Sequence, residues 1–384
     1  MVVLTPSLRL TVAALAALLV GGTGGCSWAR DDDAAGRPDP EPTAVAAPGD
    51  DWPTATAAQA GLDPRVLEEV AGHARLQGAD CFLVARDGRV VVDDAWGGDP
   101  DDPHEVFSVT KSIASTLVGI AVHDGDLALD DRVSEHVAAW DEPEHRDITV
   151  RQLLAMTSGL ERPDSDYLDL ASSEDRTATA LALPAVAEPG TVWAYSNGAV
   201  QVLDAVLHEA TGTPTATFAR TRLFAPLGMD RTDLHIDRAG NATLAFGATT
   251  TCRDLARLGE LVLRGGRWGE QAIVDPDWFD EALRSSSPLN EGYGLLWWLN
   301  REGRRLASAL AVSTDADEVV ATGREVPGAP EDLVWALGLG DQILQVHPGT
   351  GTIVVRIGRG QALGEPNRFD QRATAKVVTE GVVD

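Results

Sequence analysis

The chain has 384 residues, 44% of them hydrophobic, which is enough for one large domain or two smaller ones around a sizeable core. Its formal charge is −28, from 59 acidic against 31 basic residues. That balance argues against nucleic acid or an anionic membrane surface as a direct partner and predicts a soluble, solvated exterior.

Arg9 precedes an apolar run, Leu10 to Val20, of signal-peptide length and too short for a membrane span. Residues 1–25 therefore read as an export signal. Thr23-Gly24-Gly25-Cys26 resembles a bacterial lipobox, in which the peptidase cuts before a cysteine that carries the lipid; Thr23 stands where leucine is usual. Lipidation at Cys26 is expected, putting the protein on the outer face of the bacterial cell membrane with the lipid as its only membrane contact. A plain secretory signal is the alternative. Residues 26–50 carry Asp31-Asp32-Asp33 and Pro38-Asp39-Pro40-Glu41-Pro42 but few large apolar side chains, so they read as a disordered tether to a domain spanning 51–384.

In that domain Asp63-Pro64 opens a helix that ends before Gly78. Cys81 to Ala85 and Arg89 to Val92 are branched apolar runs joined by Arg86-Asp87-Gly88, a hairpin signal. Ser108 starts a helix that continues through Ile113, Leu117, Ile120 and Ala121 to Gly125. Helical periodicity dominates from Leu129 to Arg264, including Val200 to Ala210 and a helix that Cys252 begins. Ala311 to Pro330 reads as a surface insertion. Gln342 to Val346 and Thr352 to Ile357 form a second hairpin around His347-Pro348-Gly349-Thr350-Gly351, and Phe369 to Glu380 a closing helix. The expected class is α+β: an antiparallel sheet from both chain ends, flanked by N- and C-terminal helices, with a mainly helical insertion at about 129–264. Cys81 and Cys252 can pair or remain buried thiols, and no CxxC or His-rich spacing asks for a metal. No cofactor is implied.

Among 31 basic residues only Lys111 and Lys376 are lysines. Guanidinium stays charged at any working pH, whereas a desolvated amine can lose its proton and act as a base. Lys111 lies three residues after Ser108, on the same face of the helix, with its amine beside the serine hydroxyl. Tyrosine is also scarce, with 3 in the chain, and Tyr195 opens Tyr195-Ser196-Asn197 at the start of another helix. A phenol near a serine and a lysine can relay protons, and Asn197 can hold the amine or a substrate carbonyl.

Ser108-Val109-Thr110-Lys111 with Tyr195-Ser196-Asn197 resembles the serine beta-lactamase-related family of class C beta-lactamases, D-alanyl-D-alanine carboxypeptidases, esterases and amidases. The stretches from Ile148 to Leu160, Ala225 to Met229 and Tyr293 to Trp298 are similar to that family too. Asp51-Trp52-Pro53 and Gly338-Leu339-Gly340-Asp341-Gln342 look most like its 6-aminohexanoate-dimer hydrolase branch. The penicillin-recognising members carry Lys-Thr-Gly or a histidine variant on the strand facing the nucleophile, and Leu339 stands there instead. The resemblance implies catalytic Ser108, Lys111 and Tyr195, support from Asn197, and an oxyanion hole from the Ser108 and Leu339 amides, with Gly338 and Gly340 permitting close approach and lining the substrate pocket.

The expected activity is hydrolysis of a small ester or amide through a Ser108 acyl-enzyme. A beta-lactamase or D-amino-acid peptidase acting on cell-wall-like peptides is the alternative within enzymes, and a non-catalytic cell-surface binding module is the alternative outside them. Tyr167, in the acidic loop Asp164-Ser165-Asp166, is a candidate for the cleft mouth. Trp297, of the Trp297-Trp298 pair, is a candidate pocket wall, although such a pair also suits a core. His347 is expected to be exposed in its turn rather than catalytic.

Overall fold

The computed structural model describes residues 52–163, 165–305, 312–314, 321–359 and 369–383. The export signal, Cys26, the tether and part of the 311–330 insertion lie outside the described residues.

Helix α1 (Pro64–Leu76) starts where Asp63 accepts the Arg65 amide and Pro64 takes the first position, which needs no N–H donor. Strands β1 (Ala79–Arg86) and β2 (Arg89–Ala95) follow. Asp87 and Gly88 join them with φ of 49° and 70°, the left-handed pair that matches strand twist in a two-residue hairpin. From the other end of the chain come β3 (Trp298–Leu299), β4 (Val334–Gly338), β5 (Gln342–His347) and β6 (Thr352–Gly358). One six-stranded antiparallel sheet results, in the order β2-β1-β6-β5-β4-β3. Between the two halves of the sheet run α2 (Val109–Asp124), α3 (Asp166–Ser172), α4 (Asn197–Thr211) and α5 (Cys252–Leu263), and α6 (Gln371–Thr379) closes the chain. The α+β arrangement is the expected one.

Alternation along the strands gives the sheet two apolar faces. Phe82, Val84, Trp335, Ile343 and Val354 pack with residues of α1 and α6. Leu83, Ala85, Leu344, Val346, Ile353 and Val355 belong to a larger core with α2, α4 and α5. Every residue of α2 from Val109 to Ala121 is buried, as suits a helix covered on all sides. Helix α5 lies against β1, β5 and β6, so the last helix of the expected 129–264 insertion packs on the sheet.

A disulfide between Cys81 and Cys252 ties β1 to the first residue of α5 and settles the pairing that the sequence leaves open. His347 departs from expectation. It ends β5 at only 4% exposure, with Nδ1 2.7 Å from Thr350 Oγ1 and Nε2 3.0 Å from Asp332 Oδ1, whose other oxygen accepts the Gly349 amide of the turn.

Candidate active site

Ser108 is the N-cap of α2, and the residue before it is held in an uncommon conformation. Phe107 has φ 46°, a left-handed backbone that non-glycine residues adopt rarely and at some cost. The turn is fixed from both sides. Thr110 Oγ1 donates to the Phe107 carbonyl (2.5 Å) and accepts the Ala248 amide (2.9 Å), while the Val106 amide donates to the Ala248 carbonyl (3.1 Å). The Ser108 hydroxyl makes no capping bond to its own helix. It is engaged instead by Lys111 Nζ at 2.9 Å and by the Tyr195 hydroxyl.

Lys111 is 1% exposed, and its amine has two further partners: Asn197 Oδ1 at 2.7 Å and the Ala245 carbonyl at 2.6 Å. Both are acceptors only. A neutral amine therefore spends its two protons on them and turns its lone pair to the Ser108 hydroxyl. Burial lowers the Lys111 pKa to about 7, and the charge of Asp166 opposes that fall. The Tyr195 ring lies 4.9 Å from Nζ. Burial drives the Tyr195 phenol well above its ordinary value, a rise that its bond with Ser108 opposes, so it stays protonated at neutral pH. Trp298 stacks on Tyr195 at 5.7 Å and Tyr293 meets it edge-on at 6.2 Å.

Asn197 opens α4, and this helix end is held by two elements. Ser196 Oγ accepts the Ala199 amide at 3.0 Å. The Asp166 carboxylate, on α3, accepts the Asn197 amide at 2.8 Å and the Gly198 amide at 3.2 Å. A side chain at 198 would press on the Leu183 methyl, which would have to shift.

The structure thus brings Ser108, Lys111, Tyr195 and Asn197 into one cluster. Tyr167 follows Asp166 and packs on Phe246 at 4.9 Å, next to Ala245 and so at the edge of the cluster. Gly338 ends β4 against the segment leading to Ser108, where a Cβ would strike the Val106 carbonyl oxygen. Gly340 differs from expectation in its service: with φ 79° it makes the turn between β4 and β5, beside Asp341 at 62°, with Leu339 between the two glycines. Trp297 lies in the core. It is fully buried, edge-on to Phe279 at 6.5 Å, in the core reading that the pair also suits; its neighbour Trp298 faces the cluster. Asp166 and Ala245 are the participants that the sequence does not reveal as such. Ala245 acts through a backbone carbonyl, which carries no residue-type signal, and Asp166 acts through the backbone of a distant element.

Residues 59–379 match the family model described as Beta-lactamase. The chain is 26% identical over 300 residues to a 6-aminohexanoate-dimer hydrolase from Paenarthrobacter ureafaciens, spanning 72% of each chain. It is 33% identical over 193 residues to Esterase EstB from Burkholderia gladioli, spanning 43% of this chain and 48% of that protein. Among solved structures it resembles EstCE1, described as a hydrolase with promiscuous acyltransferase activity, with a TM-score of 0.64 at 18% identity over 84% of this chain and 99% of the other.

Proposed function

This chain belongs to the beta-lactamase family of serine hydrolases, and from that premise we propose that it cleaves esters or small amides through an acyl-enzyme on Ser108. One observation carries the reading: a fully buried lysine amine placed between the Ser108 hydroxyl and two obligate acceptors, with burial bringing its pKa to about 7. Ser108 Oγ attacks the acyl carbonyl as its proton passes to neutral Lys111. Tyr195, kept protonated by burial, donates to the leaving group and is recharged by Lys111 through the Ser108 site. Water then clears the ester. The carbonyl oxygen is received by the Ser108 amide, at the start of α2, and by the Leu339 amide, which Gly338 brings near by packing on Val106.

The names of the two curated relatives support an amide or ester substrate. Leu339, where penicillin-recognising members place a cation-bearing motif, weighs against a substrate held by its carboxylate. The test is turnover of a short p-nitrophenyl ester, the 6-aminohexanoate dimer and a penicillin by the full chain. Turnover of the ester or the dimer, lost in Ser108→Ala, supports the reading. Turnover of penicillin alone overturns it in favour of a beta-lactamase. No reaction with any of the three, or with a fluorophosphonate, overturns it in favour of a binding module.

The proposal includes export and a lipid at Cys26. A disulfide between residues 171 apart in sequence is at home in an oxidising compartment and supports that part. Metabolic labelling with an alkyne fatty acid is expected to mark the wild type and not Cys26→Ser. Equal labelling of both would contradict the anchor.

A further inference from the structure

Asp166 is 5% exposed, and among the described residues no lysine or arginine forms an ion pair with it. A buried carboxylate without a cation is costly, so its hydrogen bonds must account for it. Both oxygens are committed to the first two amides of α4, where the helix dipole also favours an anion. Capping alone does not require this. Ser196 already caps α4 through the Ala199 amide, as an uncharged side chain can. The amide that Asp166 holds most closely is that of Asn197, whose own side chain accepts from Lys111.

We propose that Asp166 is a positioning residue for the reaction: it fixes Asn197 against the lysine and supplies the buried counter-charge for the proton that Lys111 takes from Ser108. This rests on Lys111 being the base. When Ser108 attacks, the O–H bond breaks, the Oγ–acyl bond forms, and the proton creates an ammonium on a side chain that is 1% exposed. Asn197 Oδ1 and the Ala245 carbonyl offer that ammonium dipoles, and Asp166 offers it the charge. The same carboxylate opposes the effect of burial on Lys111, so the lysine stays basic enough to accept the proton.

Other ionisable groups near the cluster have different engagements. Tyr195 faces Lys111 as a protonated phenol, and Tyr293 behind it is held well above its ordinary value by burial. On α4, Asp204 is held by Thr177 and by the Ala242 amide. On the short helix Arg176–Leu181, the Arg176 guanidinium donates to the Ala171 carbonyl. At the outer edge Glu105 acts on Tyr167. Strand β4, packed on α2, carries no ionisable side chain.

The test is the pH profile of kcat/KM for p-nitrophenyl ester hydrolysis by the full chain and by Asp166→Asn. With the counter-charge gone, Lys111 loses its proton more readily, so the acid limb moves to lower pH by about 1 unit. The plateau kcat falls about 10-fold or more, with KM changed far less. Asp166→Ser, which lets water reach both amides, gives the same reading if Asp166→Asn does not fold. Ser196→Ala weakens the same helix end without changing charge, and its acid limb stays at the wild-type pH. An acid limb in Asp166→Asn or Asp166→Ser that coincides with wild type overturns the inference while leaving Ser108 catalysis intact. A wild type with no Ser108-dependent turnover removes the base reading and this inference together.

Discussion

At the scale of single residues, the site depends on which groups can change protonation near neutral pH. Lys111 titrates at about 7 because burial disfavours its ammonium, while Tyr195 is pushed in the opposite direction, away from neutrality. The proposed base is therefore the lysine and the proposed proton relay is the phenol. With the neutral amine as the proposed active form, kcat/KM is expected to rise as pH increases through about 7; a profile flat from pH 5 to 9 would contradict this assignment. Scarcity made these residues visible in the sequence, because a chain nearly free of lysine and tyrosine places one of each in the right motif. Trp297 and Trp298 show the limit of that approach. Trp297 is buried just before β3 while Trp298, its first residue, stacks on Tyr195, and composition alone does not say which of two identical side chains turns to the site.

At the scale of elements, α2, α4 and the end of β4 converge, and backbone contacts set their spacing. Gly338→Ala forces a Cβ onto the Val106 carbonyl, which displaces β4 from the segment bearing Ser108. The expected result is a loss of about 1–3 kcal/mol of stability and a fall in kcat larger than the rise in KM. Gly340→Ala strains a turn at φ 79° and costs about 1 kcal/mol. Denaturant midpoints and steady-state kinetics of the two variants separate these effects; equal kcat values would contradict the close-approach role of Gly338. The hairpins and the helices at both chain ends were readable because their turns use residues with one conformational purpose, such as Asp87-Gly88. The grip of Asp166 on α4 was not, since an aspartate near a loop has the same local pattern whether it caps its own helix or another.

At the scale of the whole molecule, the sheet is assembled from segments separated by more than half the chain, and the helical middle returns to it through α5. The Cys81–Cys252 disulfide closes a sequence separation of 171 residues between β1 and α5, so it removes much freedom from the unfolded chain. Cys252→Ala is expected to lower stability by about 2–5 kcal/mol. Thermal melting of that variant beside the wild type with and without reductant measures it, and unchanged melting would show that packing alone holds α5 on the sheet. The architecture followed from which segments had strand and helix periodicity. The disulfide did not, because two cysteines in apolar surroundings look the same in sequence whether bonded or free.

The measurement that bears most directly on the central claim is intact-protein mass spectrometry of wild type, Ser108→Ala and Lys111→Arg, quenched shortly after mixing with a p-nitrophenyl ester. Lys111→Arg keeps a basic side chain but fixes it as a cation unable to take a proton, and is expected to slow acylation by about 1000-fold or more. The account predicts one acyl mass added to the wild type, mapping to Ser108, and none on either variant at the same time. An acyl adduct forming on Lys111→Arg at the wild-type rate would contradict it.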